Sequence, residues 1–184
     1  MTTRACLAAG LVVAAIGFGS NAASALVEPW SPGPDGALHG HSTFTTAEPL
    51  RRGPFALCPV GRPNHFRDDF GEPRYAGGFH RHEGIDIFAP RGTRIFAPFD
   101  GKAVASYSWA GGWQVYVYRA DGAFVFNAHL NGRGRGGKVH AGTVIGRVGN
   151  SGDAIGGSTH DHFEWHPHGG RAVDGFRFLV MACR

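Results

Sequence analysis

Five side chains in the sequence have the types and spacings that a metal-dependent hydrolase needs. His82 and Asp86 stand four residues apart, His160 and His162 stand two apart, and His129 lies between the two pairs. Imidazole and carboxylate groups suit zinc, and a catalytic zinc keeps three protein ligands and one open position. Either pair alone is common in a chain with 11 histidines. Together they offer enough groups for three ligands and two residues that act on a substrate, which indicates a metallohydrolase.

Short strands have to position these groups, because the sequence alternates like strands after residue 58 and shows almost no helical periodicity. Separated by Asp-Gly and Gly-Gly turns, the predicted strands are 93–97, 102–107, 113–119, 123–130, 143–148 and 161–165. This spacing predicts an all-β, mainly antiparallel domain. Residues two apart on a strand share a face, so we expect His160 and His162 to point into the same space. His129, near the end of another strand, can reach that face too.

The first residues predict export. Arg4 precedes an apolar run over 5–18, and Ala23-Ser24-Ala25 resembles a cleavage site, so residues 1–25 are interpreted as a signal peptide. The apolar run is shorter than the roughly 20 residues of a membrane span. This favours cleavage over the alternative, an uncleaved anchor. We therefore expect a secreted protein, extracellular or associated with the cell wall, without stable membrane insertion.

Composition divides the rest of the chain. Residues 26–57 are rich in proline with serine and threonine, which predicts an extended arm or linker. Residues 58–184 form the predicted domain, and a chain of 184 residues fits a single domain, which we expect to be a monomer. Cys58 and Cys183 remain after the signal is removed. In an oxidising compartment such a pair forms a disulfide, with two free thiols as the alternative.

The chain is basic, with a formal net charge of +4. Basic proteins associate with anionic polymers. Nucleic acid is a poor candidate partner for an exported chain without a nucleic-acid motif, and an anionic cell-wall surface is a better one. The basic run within 132–138 is interpreted either as part of a binding surface or as a solvated loop.

Several stretches between Cys58 and Trp165 match motifs of one known family. They are His82-Glu83-Gly84-Ile85-Asp86, residues 97–104, Asn127-Ala128-His129-Leu130, residues 139–146, residues 148–152, and Thr159-His160-Asp161-His162-Phe163-Glu164. These motifs resemble those of the lysostaphin/LytM-type zinc endopeptidases, the M23 peptidase family. Two departures stand out: Phe126 and Asn127 replace the usual residues before His129, and Asp161 stands where leucine is more common.

The resemblance implies a fold and a set of roles. The fold is the lysostaphin-type, duplicated-hybrid-motif-like β-sheet or β-sandwich domain, with long loops around an open groove. His82, Asp86 and His162 would bind one Zn²⁺. His129 and His160 would be catalytic, one as general base and one as donor to the oxyanion, and the sequence does not distinguish which has which role. A zinc-activated water would hydrolyse peptide bonds of bacterial peptidoglycan, in cross-links or in stem peptides.

Three alternatives stay open. The domain could be a non-catalytic module that binds peptidoglycan or activates another hydrolase, although such members lose key residues and this chain keeps all five. It could be a related zinc carboxypeptidase that trims a terminal residue, although such enzymes space the first His and Asp more widely. The wall could also belong to a competitor rather than to the producing cell.

Several residues near the motifs have roles that the sequence also predicts. Glu83 either hydrogen-bonds a ligand imidazole or faces solvent. Asp161 should point away from its two neighbouring histidines and be structural or solvated rather than catalytic. Asp68 and Asp69 resemble the family's entry segment, which implies that they orient this loop rather than bind metal. The loop 132–138 is a candidate border of the groove. The core is the favoured place, with the groove as the alternative, for Trp109, Trp113 and Trp165.

Overall fold

A computed structural model of the protein describes residues 53–184. The predicted signal peptide, residues 1–25, and residues 26–52 of the predicted arm lie outside the described residues. Within the described part of the chain, no helix is both long enough and apolar enough to cross a membrane.

Residues 53–184 form ten β-strands, two short 3₁₀ turns and one α-helix. The strands are β1 Pro73–Arg74, β2 His80–Arg81, β3 Ile85–Phe88, β4 Arg94–Phe96, β5 Gly101–Ser108, β6 Gly112–Tyr118, β7 Phe124–Leu130, β8 Gly137–Val139, β9 Val144–Arg147 and β10 His160–His166. The 3₁₀ turns are Gly152–Ala154 and Pro167–Gly169, and the helix, α1, is Phe176–Ala182.

The main sheet has six strands in the order β3-β10-β7-β6-β5-β8, and every pairing is antiparallel. Strands β1 and β2 form a small hairpin, and β4 and β9 form a second two-stranded sheet. The all-β antiparallel prediction is therefore confirmed. The short helix α1 was not predicted, because seven residues are too few to show a helical period.

One face of the main sheet builds the core. Its largest fully buried side chains include Ile85, Ile87, Leu130, Val115, Val117, Val125 and Phe163 from the main sheet, Ile95 and Ile145 from the β4–β9 pair, and Leu179 from α1. Phe55 also belongs to this core, because its ring lies 5.3 Å from the rings of both Phe163 and Trp165. The packed domain therefore begins before Cys58, inside the segment predicted as an arm.

The three tryptophans differ in their surroundings. Trp165 is buried in the core and Trp113 packs against it. Trp109 is 72% exposed, so the core expectation is wrong for this residue. The reason is its place in the turn between β5 and β6, beyond the last paired residue of each strand.

A disulfide closes the domain. Cys58 and Cys183 are bonded, and 125 residues separate them in sequence. Cys183 directly follows α1, so the bond ties the end of the helix to the segment before β1.

Replacing both cysteines, as Cys58→Ser with Cys183→Ser, should lower the free energy of unfolding by about 2–5 kcal/mol. The bond restricts the unfolded chain, and the long loop makes that restriction large. Urea unfolding of the variant and of the oxidised wild type measures the difference. Equal midpoints and equal slopes for the two proteins would contradict it.

Asp161 is a buried polar residue on the core face of β10. Its relative exposure is 0%, and neither carboxylate oxygen has a hydrogen-bond partner among the described residues. Burial raises the pKa of this carboxyl well above its ordinary value. Of the two roles predicted for Asp161, the structural one therefore applies rather than the solvated one, and the neutral form of the carboxyl is favoured.

Asp161→Asn should stabilise the protein near pH 8, because the amide cannot acquire the charge that burial disfavours. A raised pKa means that the folded state holds the proton more tightly than the unfolded chain. The resulting penalty is absent below the unfolded pKa of about 4 and grows as pH rises above it. Thermal unfolding at about pH 8 and about pH 4.5 should show an advantage that shrinks in acid. Asp68→Asn, at an exposed position, is the control, and an advantage that is the same at both pH values would count against this account.

Candidate metal centre and active site

Strand β10 carries two kinds of side chain on its two faces. Its burial alternates without interruption, so Asp161, Phe163 and Trp165 face the core and His160, His162, Glu164 and His166 face the opposite side. On one side His162 pairs with Asp86 of β3, and on the other it pairs with Ala128 of β7. The pairing brings residues from the two halves of the sequence to one point.

His82, Asp86 and His162 form a compact cluster that can hold a metal ion. Asp86 Oδ1 lies 3.0 Å from His82 Nε2 and 3.2 Å from His162 Nδ1, and the two nitrogens are 2.9 Å apart. A tetrahedral zinc with ordinary bond lengths would separate its ligand atoms by about 3.3 Å. Two imidazole nitrogens and one carboxylate oxygen at these distances therefore fit a three-ligand metal centre.

Gly84 makes this approach possible. A Cβ at this position would lie 2.7 Å from the Phe163 carbonyl oxygen and 2.8 Å from His162 Cε1. Any side chain here would displace the His162 ring or the backbone of β10. The glycine between His82 and Asp86 is thus required by close contact with the third member of the cluster.

The segment that leads into β1 supports His82 and Asp86 from behind. The Asp69 carbonyl oxygen lies 2.9 Å from His82 Nδ1, and Asp69 Oδ1 accepts a hydrogen bond from the Asp86 amide at 3.3 Å. Asp69 is buried, so these contacts are shielded from water. With Nδ1 bonded to a carbonyl, His82 directs Nε2 toward the cluster.

Glu164 supports His162 in the same way. Its Oε1 lies 2.9 Å from His162 Nε2, and its Oε2 lies 2.6 Å from His166 Nε2. Glu164 lies in the last motif, and no role was predicted for it, although residues two apart on a strand share a face. Glu83, the residue considered for this role, is exposed and makes no side-chain hydrogen bond among the described residues.

These contacts shift the protonation of the cluster. Burial opposes charge on Glu164, yet its hydrogen bonds to His162 and His166 lower its pKa to about 2. Burial likewise opposes charge on His162, but hydrogen bonds to Asp86 and Glu164 raise its pKa to about 9. Burial also opposes charge on Asp86, but its hydrogen bonds to His162 and His82 hold its pKa well below the usual range.

His129 reaches the groove through a break in β7. Regular alternation with Phe126 and Ala128 would send His129 to the core and Leu130 to the groove. Instead His129 has a φ of 61°, Leu130 is fully buried, and His129 lines the cavity. A left-handed conformation is uncommon for a residue other than glycine and is held in place by its surroundings. The break exchanges the faces of the last two residues of the strand.

His129 and His160 flank the cluster as a pair. His129 Nδ1 lies 2.9 Å from the Ser151 carbonyl oxygen, and His160 Nδ1 lies 2.9 Å from the Ser158 carbonyl oxygen. Each ring donates at Nδ1 and leaves Nε2 without a proton in the neutral form. Their ring centres are 4.9 Å apart. Burial lowers the pKa of His129 to about 4, so this ring is neutral at neutral pH.

All five predicted site residues line one cavity of about 490 Å³. Tyr116, Phe126 and Ala128 contribute an apolar wall, and Ala76 of the β1–β2 hairpin lines another part. Residues 132–138 contribute nothing to this lining; residues 132–135 border a separate, smaller cavity with residues 144–147. The expectation that this basic loop borders the groove is therefore wrong, because its backbone lies against β9 instead. None of the three tryptophans considered lines the groove either.

Comparisons with known proteins agree with this geometry. A sequence model described as peptidase family M23 matches residues 80–175. The L-Ala--D-Glu endopeptidase of Bacillus subtilis strain 168 is 35% identical over 124 residues, which are 65% of this chain and 38% of that protein. The chain thus spans well under half of the length of this relative.

Two solved structures share the fold. One is a zinc-containing peptidase from Vibrio cholerae, with a TM-score of 0.55 and 25% identity over 65% of this chain and 38% of that chain. The other is the catalytic domain of the antimicrobial peptidase lysostaphin from Staphylococcus simulans. Its TM-score is 0.51, with 29% identity over 63% of this chain and 92% of that chain.

Metal affinity should rise with pH until about pH 9, because an incoming ion has to displace the proton that Asp86 and Glu164 stabilise on His162. The expected slope is about tenfold per pH unit for each proton displaced. In Glu164→Gln the pH at which affinity levels off should fall, since one acceptor of the His162 proton is lost. Chelator competition across this pH range measures both effects. Glu83→Gln is the control. If affinity levels off at the same pH in Glu164→Gln as in the wild type, Glu164 does not stabilise the His162 proton.

Proposed function

The chain belongs to peptidase family M23, and from this premise we propose that it is a secreted, zinc-dependent endopeptidase that hydrolyses peptide bonds of bacterial peptidoglycan. One observation carries the proposal. Three potential metal ligands and two further histidines, drawn from three separate segments of the sequence, converge in one open groove. Non-catalytic members of such a fold do not need this convergence, which favours an enzyme.

The chemistry of the ligand atoms supports zinc. Two imidazoles and one carboxylate are an established catalytic zinc shell, and the fourth position stays free for water or substrate. Bound by His82, Asp86 and His162, zinc would supply a Lewis acid that polarises the peptide carbonyl and lowers the pKa of water.

The two flanking histidines would move the protons. We assign the base to His129, because its lowered pKa keeps Nε2 unprotonated and ready to accept a proton from the attacking water. The imidazolium so formed can return the proton to the leaving amine. His160 Nε2 lies 3.8 Å from Asp86 Oδ1, beside the metal position. Because Nδ1 already donates to the Ser158 carbonyl, His160 would donate to the oxyanion from Nε2 in its imidazolium form.

The substrate assignment rests on relatives and on the groove. The Bacillus subtilis relative is by name an endopeptidase acting between L-Ala and D-Glu, and lysostaphin is by name an antimicrobial peptidase. The open groove carries small and aromatic side chains besides its histidines and other polar groups, which suits an extended peptide of small residues. The predicted signal peptide and the basic net charge support a place outside the cell, next to anionic wall polymers.

The decisive experiment is mass identification of fragments released from purified peptidoglycan by the exported protein. Release should stop with a chelator and return with zinc. His129→Asn and His160→Ala should each lower the rate by about 10²–10⁴-fold. Asparagine is chosen at position 129 because it tolerates the left-handed backbone, so the loss reports on the imidazole rather than on strain.

His140→Asn is the matched control, since His140 is an exposed histidine that does not line the groove. Fragments cut inside a stem peptide or cross-link identify an endopeptidase, and release of only a terminal residue identifies a carboxypeptidase. Binding to the wall without any cleavage, unaffected by the substitutions, would replace the enzyme with a binding or activating module.

A further inference from the structure

Arg74 lines the same cavity as the metal centre and contacts the carboxylate of a proposed ligand. Its Nη2 is 2.9 Å from Asp86 Oδ2 and 3.0 Å from Asp69 Oδ2, and its Nη1 is 3.5 Å from Glu72 Oε2. The same Nη2 is 2.9 Å from His82 Nδ1, which is a close contact and not a hydrogen bond, because Nδ1 donates to the Asp69 carbonyl. Arg74 belongs to β1, outside every motif that the sequence analysis singled out, and its side chain is 28% exposed.

The two carboxylate oxygens of Asp86 contact different groups. Oδ1 faces the ligand nitrogens of His82 and His162, at 3.0 and 3.2 Å. Oδ2 faces away from them and accepts the hydrogen bond from Arg74. The carboxylate is therefore fixed so that one oxygen is directed toward the metal position and the other is occupied.

We propose that Arg74 is a positioning residue that keeps Asp86 a single-oxygen ligand and so preserves the open coordination position. A carboxylate can also bind a metal through both oxygens, and a second oxygen would take the position that a catalytic zinc needs for water or substrate. The charge-assisted hydrogen bond from Arg74 prevents Oδ2 from turning toward the ion. This inference rests on the proposed metal site but not on the proposed substrate.

Arg74 also supports His82 through Asp69. The Asp69 side chain is only 4% exposed, and Arg74 is the guanidinium that compensates its charge. The Asp69 carbonyl in turn orients His82, and its carboxylate holds the Asp86 amide. Loss of the guanidinium leaves two carboxylates next to each other in a buried place, which is costly. Both ligands of the first motif thus depend on one side chain.

Zinc binding tests this role without any use of peptidase activity. In Arg74→Gln the Kd for zinc, measured by competition with a chromophoric chelator, should rise about 10–100-fold, as for other residues that orient a metal ligand. The visible absorption of the Co²⁺-substituted variant should weaken, because five-coordinate cobalt absorbs less strongly than four-coordinate cobalt. Arg81→Gln is the control: Arg81 lies on the paired strand and donates to the Gly71 carbonyl rather than to a ligand.

Thermal unfolding of the metal-free proteins shows whether each variant folds. If Arg74→Gln does not, Arg74→Lys takes its place, since lysine keeps the charge beside Asp69 but lacks the planar fork. The same changes in Kd and in the cobalt spectrum are then expected, to a smaller extent. Wild-type affinity and spectrum in the folded variant would overturn the proposal. A wild-type chain that binds neither ion would instead remove the metal site itself, whatever the variants do.

Discussion

The uninterrupted alternation of β10 is the constraint on which the rest of the structure depends. Phe163 and Trp165 can pack against Phe55 only if His160 and His162 face the groove. A slip of one residue would bury the histidines and expose the aromatic rings. The hydrophobic core therefore sets the register of the strand, and the register sets the position of the chemistry. The close approach of His82, Asp86 and His162 therefore depends on how Phe163 and Trp165 pack on the other face of the strand.

Much of this arrangement could be predicted because it is local. Strands such as 102–107 and 113–119 were placed within one residue or so of the observed β5 and β6, and the shared face of His160 and His162 follows from a period of two. The backbone break at His129 could not be predicted, since no glycine marks it. Arg74 was equally hidden, because it reaches Asp86 only through the hairpin that pairs β1 with β2.

The surroundings also shift the pKa values of two neighbouring imidazoles of the site in opposite directions. The ring centres of His129 and His162 are 6.0 Å apart, yet the pKa of one is lowered to about 4 and that of the other is raised to about 9. Burial acts on both in the same direction. The difference arises because His162 lies between Asp86 and Glu164, whereas His129 bonds to a backbone carbonyl. His129 is the ring whose protonated form is stabilised least by its surroundings. It therefore stays neutral and is available to accept a proton.

The outer side of β3 limits how a peptide can be held. As an edge strand, β3 would ordinarily present free backbone groups to which an extended chain could add as a further strand. Here the amide and carbonyl of Phe88 bond to His65, and the Asp86 amide bonds to Asp69 Oδ1. Strand addition of a peptide is therefore blocked at residues 86 and 88 of this edge, which leaves the open groove on the face of the sheet for a substrate. Recognition then depends on side-chain shape and charge more than on a ladder of main-chain hydrogen bonds.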